Sequence, residues 1–259
     1  MIAPEVESRI QAELDRIEAE EGVRVLYACE SGSRAWGFAS SDSDYDVRFV
    51  YVHAERWYLT IDQRRDTIER PITDDLDLAG WDLPKALGLY RKSNPPLAEW
   101  LGSPIVYREQ GTCAARLREL LPRYYSPVAA FHHYLSMAEG NHRDYLRGEL
   151  VKLKKYLYVL RPALACCWIE RGLGPVPTEF GRLVEALVDD ATVLAAIDDL
   201  LARKRAGGEL DTAPPIAALS GWIEAELARL RGVQPEPPAR ADAATLDAVW
   251  HAVLDETWS

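Results

Sequence analysis

Residues 30–51 read ESGSRAWGFASSDSDYDVRFVY, and this stretch joins a Gly/Ser turn to a strand that begins with alternating carboxylates. The β-branched and apolar residues 23–29 before it predict a buried strand that leads directly into Gly32 and Ser33. A glycine there lets the backbone approach a ligand closely, and a helix starting at Ser33 would present free N–H groups to phosphate oxygens. The stretch therefore predicts a phosphate-binding turn at the end of the first strand.

The second half of the stretch carries two carboxylates with the spacing of a strand. Because side chains alternate along a strand, Asp44 and Asp46 lie on one face, about 7 Å apart. Mg²⁺ and Mn²⁺ prefer such oxygen ligands and keep waters and substrate phosphates in their remaining positions. The pattern predicts a divalent metal, Mg²⁺ or Mn²⁺, as the cofactor of a phosphoryl-transfer site.

Two other motifs share parts of this stretch, but their spacing excludes them. A P-loop needs lysine after its second glycine, whereas Gly37 is followed by Phe38. An EF-hand loop that starts at Asp42 would place Val47 at its glycine position and His53 at its bidentate glutamate position. A polar turn before an ordinary strand is the remaining alternative, and the preceding Gly-Ser favours the metal site over it.

The whole segment resembles the Gly-Ser…Ser-Asp-x-Asp signature of the DNA polymerase β-like nucleotidyltransferase superfamily. Within that superfamily, residues 32–38 and 42–49 are similar to the YcgL/RlaP-type predicted nucleotidyltransferases, some of which are named for an association with RNA repair. The similarity continues to about residue 190, through residues 77–83, 93–96, 103–107 and 154–162. It implies an α+β fold, with a polymerase β-like nucleotidyltransferase domain (a mixed sheet with flanking helices) followed by an all-helical domain.

The resemblance also implies a role for each part of the stretch. The nucleotide would be bound at Gly32, Ser33 and Arg34. The metal ligands and catalytic carboxylates would include Asp44 and Asp46, since these match the Asp-x-Asp of the superfamily. The stretch would therefore carry both the nucleotide-binding turn and two thirds of the metal site.

The third carboxylate of the superfamily belongs on a later strand, which the sequence predicts within residues 72–81. By resemblance, Asp77 is chosen there over Asp75 or Asp74. It would serve as the general base for the attacking hydroxyl and as a ligand to the catalytic metal.

The composition of the chain changes near residue 110. Residues 1–110 are predicted to form the nucleotidyltransferase domain, which starts with an amphipathic helix over residues 4–22. Residues 111–259 are predicted to form the helical C-terminal domain, and a cleft is expected between the two domains. Pro/Gly-rich segments separate the predicted helices, which lie near residues 112–121, 126–147, 149–170, 179–206, 214–231 and 242–258.

Further contacts to phosphate or to the acceptor are predicted from basic residues on helices. A continuous helix would place four residues on one stripe, because their spacings are i, i+7, i+11 and i+14: Arg147, Lys154, Tyr158 and Arg161. The stripe is interpreted as a binding surface for the triphosphate or the acceptor, or as a solvated helix face. Lys85 stands in the first turn of another predicted helix, where contact with a nucleotide phosphate and plain solvation are equally compatible with the sequence.

Charge and cysteine content limit the class of protein. With a net charge of −11, the chain is not expected to wrap duplex nucleic acid by charge alone. The four cysteines form no Cys-x-x-Cys pair, the histidines form no His-Glu-x-x-His motif, and no apolar run is long enough to span a bilayer. These features predict a cytoplasmic protein with free thiols and no membrane partner, and they leave the oligomeric state open.

Together the residues and the resemblance predict a nucleotidyltransferase of the EC 2.7.7 type. It would transfer a nucleoside monophosphate from a nucleoside triphosphate such as ATP to an acceptor hydroxyl, with an RNA end in RNA repair as one candidate acceptor. Two alternatives stay open at this point. One is nucleotidylation of a protein or a small molecule, and the other is a nucleotide-binding regulator without turnover.

Overall fold

The computed structural model describes residues 2–73, 75–206, 212–237 and 242–259, in two compact units. The unit that we call the sheet unit consists of the described parts of Met1–Ala35, Asp44–Tyr124 and Ala239–Ser259. The helical unit consists of the described parts of Trp36–Ser43 and Tyr125–Pro238. Within the described ranges, no helix is both long enough and apolar enough to cross a membrane.

The elements follow one another in this order: α1 Pro4–Glu21, β1 Val23–Glu30, α2 Gly32–Ala35, β2 Tyr45–His53, α3 Glu55–Tyr58, β3 Thr67–Glu69, β4 Leu76–Asp82, α4 Leu83–Arg91, α5 Pro95–Leu101, β5 Val106–Glu109, α6 Cys113–Tyr124, α7 Pro127–Tyr145, β6 Val151–Lys152, α8 Lys155–Glu170, α9 Phe180–Leu187, α10 Ala191–Arg205, β7 Thr212–Ala213, α11 Ala217–Leu230 and α12 Ala244–Trp258.

The sheet unit is built on a mixed sheet with the strand order β3-β4-β2-β1-β5. β2 and β4 run parallel, and the other neighbouring strands are antiparallel. The parallel register places Asp46 of β2 directly opposite Asp77 of β4. The predicted α+β fold, with a mixed sheet and flanking helices, is confirmed, and its central pair of strands brings together two residues that are far apart in sequence.

Both faces of this sheet are covered by helices, because its strands are apolar on both sides. The predicted first helix is present as α1, and its buried Ile10, Leu14 and Ile17 pack with Val25 and Phe49 in one core cluster. On the opposite face, helices α4, α5, α6 and α12 pack against the alternate residues of β1 and β2 in a second cluster. The sheet is therefore buried between two layers of helices.

The compact units differ from the division predicted at residue 110. Helices α6 and α12 belong to the sheet unit because Leu117 and Val249 share a core cluster with Leu26 and Val50. The segment Trp36–Ser43, in contrast, belongs to the helical unit. The sequence pattern shows where helical periodicity begins, but it does not show which hydrophobic core each helix packs into.

Two stretches that the sequence analysis treats as continuous helix, residues 147–161 and 179–206, are broken. Residues 146–154 are not helical, since Val151–Lys152 pairs as a strand with Thr212–Ala213. The predicted helix over residues 179–206 is divided into α9 and α10, because the Asp190 side chain accepts hydrogen bonds from backbone N–H groups and caps the start of α10. The first interruption removes the helix on which the predicted basic stripe depended.

Candidate functional site

The turn after β1 is built around Gly32, which begins the short helix α2 one residue earlier than predicted. Gly32 has a φ of +58°, and a Cβ at this position would lie 2.0 Å from Asp46 Oδ2. The Ser31 N–H donates to the Asp46 carbonyl oxygen at 2.8 Å, which ties the turn to β2. Both the backbone conformation and the close approach of the carboxylate therefore require glycine.

Arg34 connects the turn to the start of β2. Its Nε donates to the Asp44 carbonyl oxygen at 3.1 Å, and its guanidinium lies 3.9 Å from the centre of the Tyr45 ring. Ser33, next to it, is buried. The predicted nucleotide-binding residues thus lie at one turn, beside the start of β2, where Asp44 and Asp46 are found.

The three predicted carboxylates are contributed by neighbouring strands. Asp44 immediately precedes β2, while Asp46 and Asp77 face each other across the parallel pair and are each about one third exposed. Burial raises the pKa of Asp46; the charges of Asp77 and Asp44 add to this effect, and the Arg48 guanidinium opposes it. The site therefore concentrates negative charge at one edge of the strand pair.

The register also bears on the choice among the three predicted acidic residues of the later strand. Asp77 lies beside Asp46, whereas Asp75 is exposed at a φ of +65° and its carbonyl oxygen accepts the Tyr45 N–H. Asp74 lies outside the described residues. The geometry favours Asp77 over Asp75 as the partner of Asp46.

The sequence reasoning missed Arg48, whose guanidinium lies between two of the carboxylates. Arg48 Nη2 is 2.9 Å from Asp46 Oδ1 and 2.7 Å from Asp77 Oδ2. Its Nη1 donates to the Asp77 carbonyl oxygen at 2.9 Å and to the Val47 carbonyl oxygen at 3.2 Å. The period of the strand, which places Arg48 on the face of Asp46, was a signal that could have identified it.

The chemistry of the donor set fits a divalent cation, because carboxylate oxygens are the ligands that Mg²⁺ and Mn²⁺ prefer. The arrangement of those donors differs from the prediction. In the part of the chain that the structure describes, no three His, Cys, Asp or Glu side chains are placed to hold a metal together. The expected set of Asp44, Asp46 and Asp77 is not assembled, since Arg48 instead bridges Asp46 and Asp77.

Glu30, the last residue of β1, is a second residue that the sequence reasoning missed. It is fully buried; its Oε1 accepts the Asp46 N–H at 2.8 Å, and its Oε2 accepts the Tyr107 hydroxyl. Burial raises the pKa of the Glu30 carboxyl to about 7. A lone acid at the end of an apolar strand was the available signal, and its role here is to hold the backbone of Asp46.

Lys85, a predicted phosphate contact, has a carboxylate partner. Its Nζ lies 2.9 Å from Asp66 Oδ1, and the Lys85 side chain is about one quarter exposed. This is the contact expected of a lysine on a partly solvated helix face, where ion pairs contribute little to stability. The structure gives Lys85 a local partner on the surface of the sheet unit.

The predicted basic stripe of the helical unit is not formed as a stripe. Arg147 follows the end of α7, and only Tyr158 and Arg161 lie within α8. Arg161 is buried, with its guanidinium 4.5 Å from the centre of the Trp36 ring and bonded to the Thr178 carbonyl oxygen. These contacts give Arg161 a place in the core of the helical unit.

Tyr158 instead lies near Lys155, which is one turn earlier in α8, and near Lys204 of α10. Lys155 Nζ is 4.8 Å and Lys204 Nζ is 5.8 Å from the centre of its ring, and Lys154 is the residue immediately before α8. Burial lowers the pKa of Lys204 to about 8, and the charge of Lys154 adds to this effect. We call Lys154, Lys155, Tyr158 and Lys204 the lysine cluster.

Comparison with known proteins places the chain in a family. Residues 6–252 match the family described as RlaP, an RNA repair pathway DNA polymerase beta family. The chain belongs to this family of polymerase β-like nucleotidyltransferases, and the predicted resemblance and fold class are confirmed.

One relative and one solved structure illustrate the range of similarity. The chain is 48% identical over 255 residues to the uncharacterized protein YcgL of Bacillus subtilis (strain 168), and the match covers 98% of each chain. It is also 13% identical to a nucleotidyltransferase-like protein from Exiguobacterium sibiricum 255-15, with a TM-score of 0.31 and coverage of 98% of this chain and 81% of that chain. At that TM-score, the structural likeness carries no argument.

Proposed function

We propose that this protein is a metal-dependent nucleotidyltransferase that transfers a nucleoside monophosphate from a nucleoside triphosphate to a hydroxyl at an RNA end. The observation that carries the proposal is the position of Asp46, whose carboxylate lies against Gly32 on one side and faces Asp77 on the other. This position supports the proposal because transfer of a phosphoryl group to a hydroxyl requires a phosphate-binding turn beside metal-binding carboxylates.

Asp44, Asp46 and Asp77 would hold Mg²⁺ or Mn²⁺, which when bound neutralises the triphosphate and stabilises the entering and leaving oxygens. The backbone at Gly32 and Ser33, with the Arg34 guanidinium, binds the phosphates and orients the α-phosphorus. Asp77 accepts the proton of the acceptor hydroxyl, whose oxygen forms a bond to the α-phosphorus while the bond to the β-phosphate oxygen breaks. Pyrophosphate carries away the electron pair of the broken bond.

The choice of an RNA end as acceptor is supported by the description of the matching family as an RNA repair family. Because the chain has a net charge of −11, contacts to RNA phosphates must come from a local group of cations. In this proposal the lysine cluster supplies them, with Lys154 and Lys155 bound to phosphate and Tyr158 stacked on a base. Arg161 is left out because its guanidinium is buried.

We assign the protein to a reducing, cytoplasmic compartment. This assignment is supported by its four buried, free cysteines.

The test is to incubate the protein with each labelled triphosphate, Mg²⁺ or Mn²⁺, and a panel of RNA 3′ and 5′ ends, proteins and small alcohols. Transferred label and released pyrophosphate are both measured. Asp77→Asn should abolish transfer, because amide nitrogen and oxygen neither accept the proton nor match an anionic ligand. Asp75→Asn is the matched control and should retain transfer, since asparagine tolerates the backbone conformation of residue 75.

Three outcomes would contradict parts of the proposal. Equal activity of Asp77→Asn and the wild type would refute the assigned base. Transfer to a protein or a small alcohol, but to no RNA, would refute the acceptor. Metal-dependent binding of triphosphate with no transfer to any acceptor would identify a nucleotide-binding regulator instead.

A further inference from the structure

Arg48 has no role in the proposed reaction, although one of its nitrogens bonds to the carboxylates of both Asp46 and Asp77, which together we call the centre. Nη2 lies within 3 Å of an oxygen of Asp46 and of an oxygen of Asp77. The guanidinium is about one fifth exposed, and the two carboxylates about one third. Charge-assisted hydrogen bonds in such a half-buried setting are stronger than ordinary surface ion pairs.

We propose that Arg48 is the counter-ion of the metal-free centre and that a divalent cation must displace its Nη2 from Asp46 and Asp77 in order to bind. This inference rests on the proposed function only in taking these carboxylates as metal ligands. Arg48 thereby sets the metal affinity of the centre. It neutralises the carboxylates when no metal is bound and lowers the affinity for a metal that arrives without a nucleotide.

The hydrogen bonds of Nη1 make such a displacement feasible. Nη1 is bonded to the backbone carbonyl oxygens of Val47 and Asp77, neither of which is a carboxylate oxygen. The guanidinium therefore has anchoring contacts that do not compete with the cation. When Nη2 leaves the carboxylates, the side chain stays beside the centre, and its positive charge is available to triphosphate oxygens.

The electrostatic argument gives the direction of the effect. Without Arg48, the carboxylates of Asp46 and Asp77 repel each other, so the metal-free protein is destabilised and the demand for a cation increases. With Arg48 in place, a cation that contacts the same oxygens is repelled by the guanidinium and must replace two charge-assisted hydrogen bonds. Removal of the charge should therefore strengthen metal binding in the absence of nucleotide.

The test measures Mn²⁺ binding by electron paramagnetic resonance of the free ion, without nucleotide and at constant pH. Arg48→Met should bind Mn²⁺ at least tenfold more tightly than the wild type, and Arg48→Lys, which keeps the charge but not the geometry, should fall between them. Arg70→Met is the matched control, since Arg70 is equally exposed and also pairs with two acids, Glu20 and Glu21. Its Mn²⁺ affinity should equal that of the wild type.

A second measurement uses the folded wild type, so that the test does not depend on a variant that folds poorly. In protein with ¹⁵N-labelled arginine, addition of Mg²⁺ should shift the side-chain resonance of Arg48, assigned from the Arg48→Lys spectrum. An Arg48 resonance that does not respond to saturating Mg²⁺ would overturn the inference. A resonance that shifts together with tighter Mn²⁺ binding in Arg48→Met would support it.

The outcomes separate this inference from the proposed function. Mn²⁺ that binds the wild type and is lost in Asp46→Asn, but binds Arg48→Met no more tightly, would overturn the role of Arg48 and leave the metal site standing. Tighter binding in Arg48→Met supports the inference even if no acceptor is ever found. Absence of Mn²⁺ binding in every variant would overturn the inference, whereas the proposed function would still be decided by the transfer assay with triphosphate and metal together.

Discussion

Gly32→Ala should impair function far more than stability, because the new Cβ displaces a catalytic carboxylate but adds only moderate strain. Alanine at a φ of +58° is strained by about 1–2 kcal/mol. The new Cβ would also lie 2.0 Å from Asp46 Oδ2, a distance that no structure tolerates. Since Oδ2 is the end of a rotatable side chain, the carboxylate turns away, and the further cost is about 1 kcal/mol for the weakened bond to Arg48.

The functional cost is larger, since displacement of a reacting group by about 1 Å costs on the order of 100-fold in rate. We expect Gly32→Ala to lower the transfer rate by about 100-fold or more, while its free energy of unfolding falls by about 2–3 kcal/mol. Stability is measured by urea denaturation. Transfer is measured as pyrophosphate release with the acceptor found in the panel.

Gly37→Ala is the matched control in the same segment. Gly37 also has a positive φ, +86°, but a Cβ there would have no other heavy atom within 4 Å. It should lose about 1–2 kcal/mol of stability from backbone strain alone and retain nucleotide binding and transfer. Transfer at the wild-type rate by Gly32→Ala, or an equal loss of transfer in both variants, would refute the argument that Gly32 makes room for the Asp46 carboxylate.

Three other predictions test separate parts of the molecule. Asp44→Ala and Asp46→Ala should both abolish transfer. In urea denaturation only Asp46→Ala should lose stability, by about 1 kcal/mol, because Arg48 loses a partner. A loss of stability in Asp44→Ala but not in Asp46→Ala would contradict the ion pair. Triphosphate with Mg²⁺ at a hundredfold excess over Kd should add about 2.7 kcal/mol to the free energy of unfolding, seen as a higher melting temperature. Either component alone should raise the melting temperature less. If no triphosphate gives a metal-dependent shift, the result counts against the site. Lys204→Met should raise the free energy of unfolding at pH 7 by up to about 3 kcal/mol, because burial lowers the pKa of the folded lysine from 10.5 to about 8. Between pH 8 and 10.5 the lysine binds a proton in the unfolded chain but not in the folded one, so the stability of the wild type rises with pH over this range. This rise should be absent when Lys204→Met is measured by urea denaturation at each pH. If the rise persists in the variant, another group causes it.

The local parts of the site could be predicted from the sequence because their signals are local. A buried strand that runs into Gly32, and a strand whose alternate residues are Asp44 and Asp46, are defined by neighbouring residues. Glu30 and Arg48 were missed because their roles depend on partners from other elements. Tyr107 and Asp77 reach them only through the order and register of the strands, which residue patterns do not specify.

The compact units divide the chain differently from the predicted boundary at residue 110, for a related physical reason. The segment Trp36–Ser43 lies between the Gly32-Ser33 turn and the Asp44/Asp46 pair, which belong to one motif. The sequence pattern therefore assigns this segment to the same domain as the motif. In the structure its Phe38 is buried in the core of the helical unit, where it contacts Tyr158 and Phe180. The chain thus leaves the sheet unit after Ala35 and returns at Asp44. Because burial of an aromatic ring contributes far more free energy than a polar turn does, the core that Phe38 joins, and not the motif around it, decides the unit to which this segment belongs.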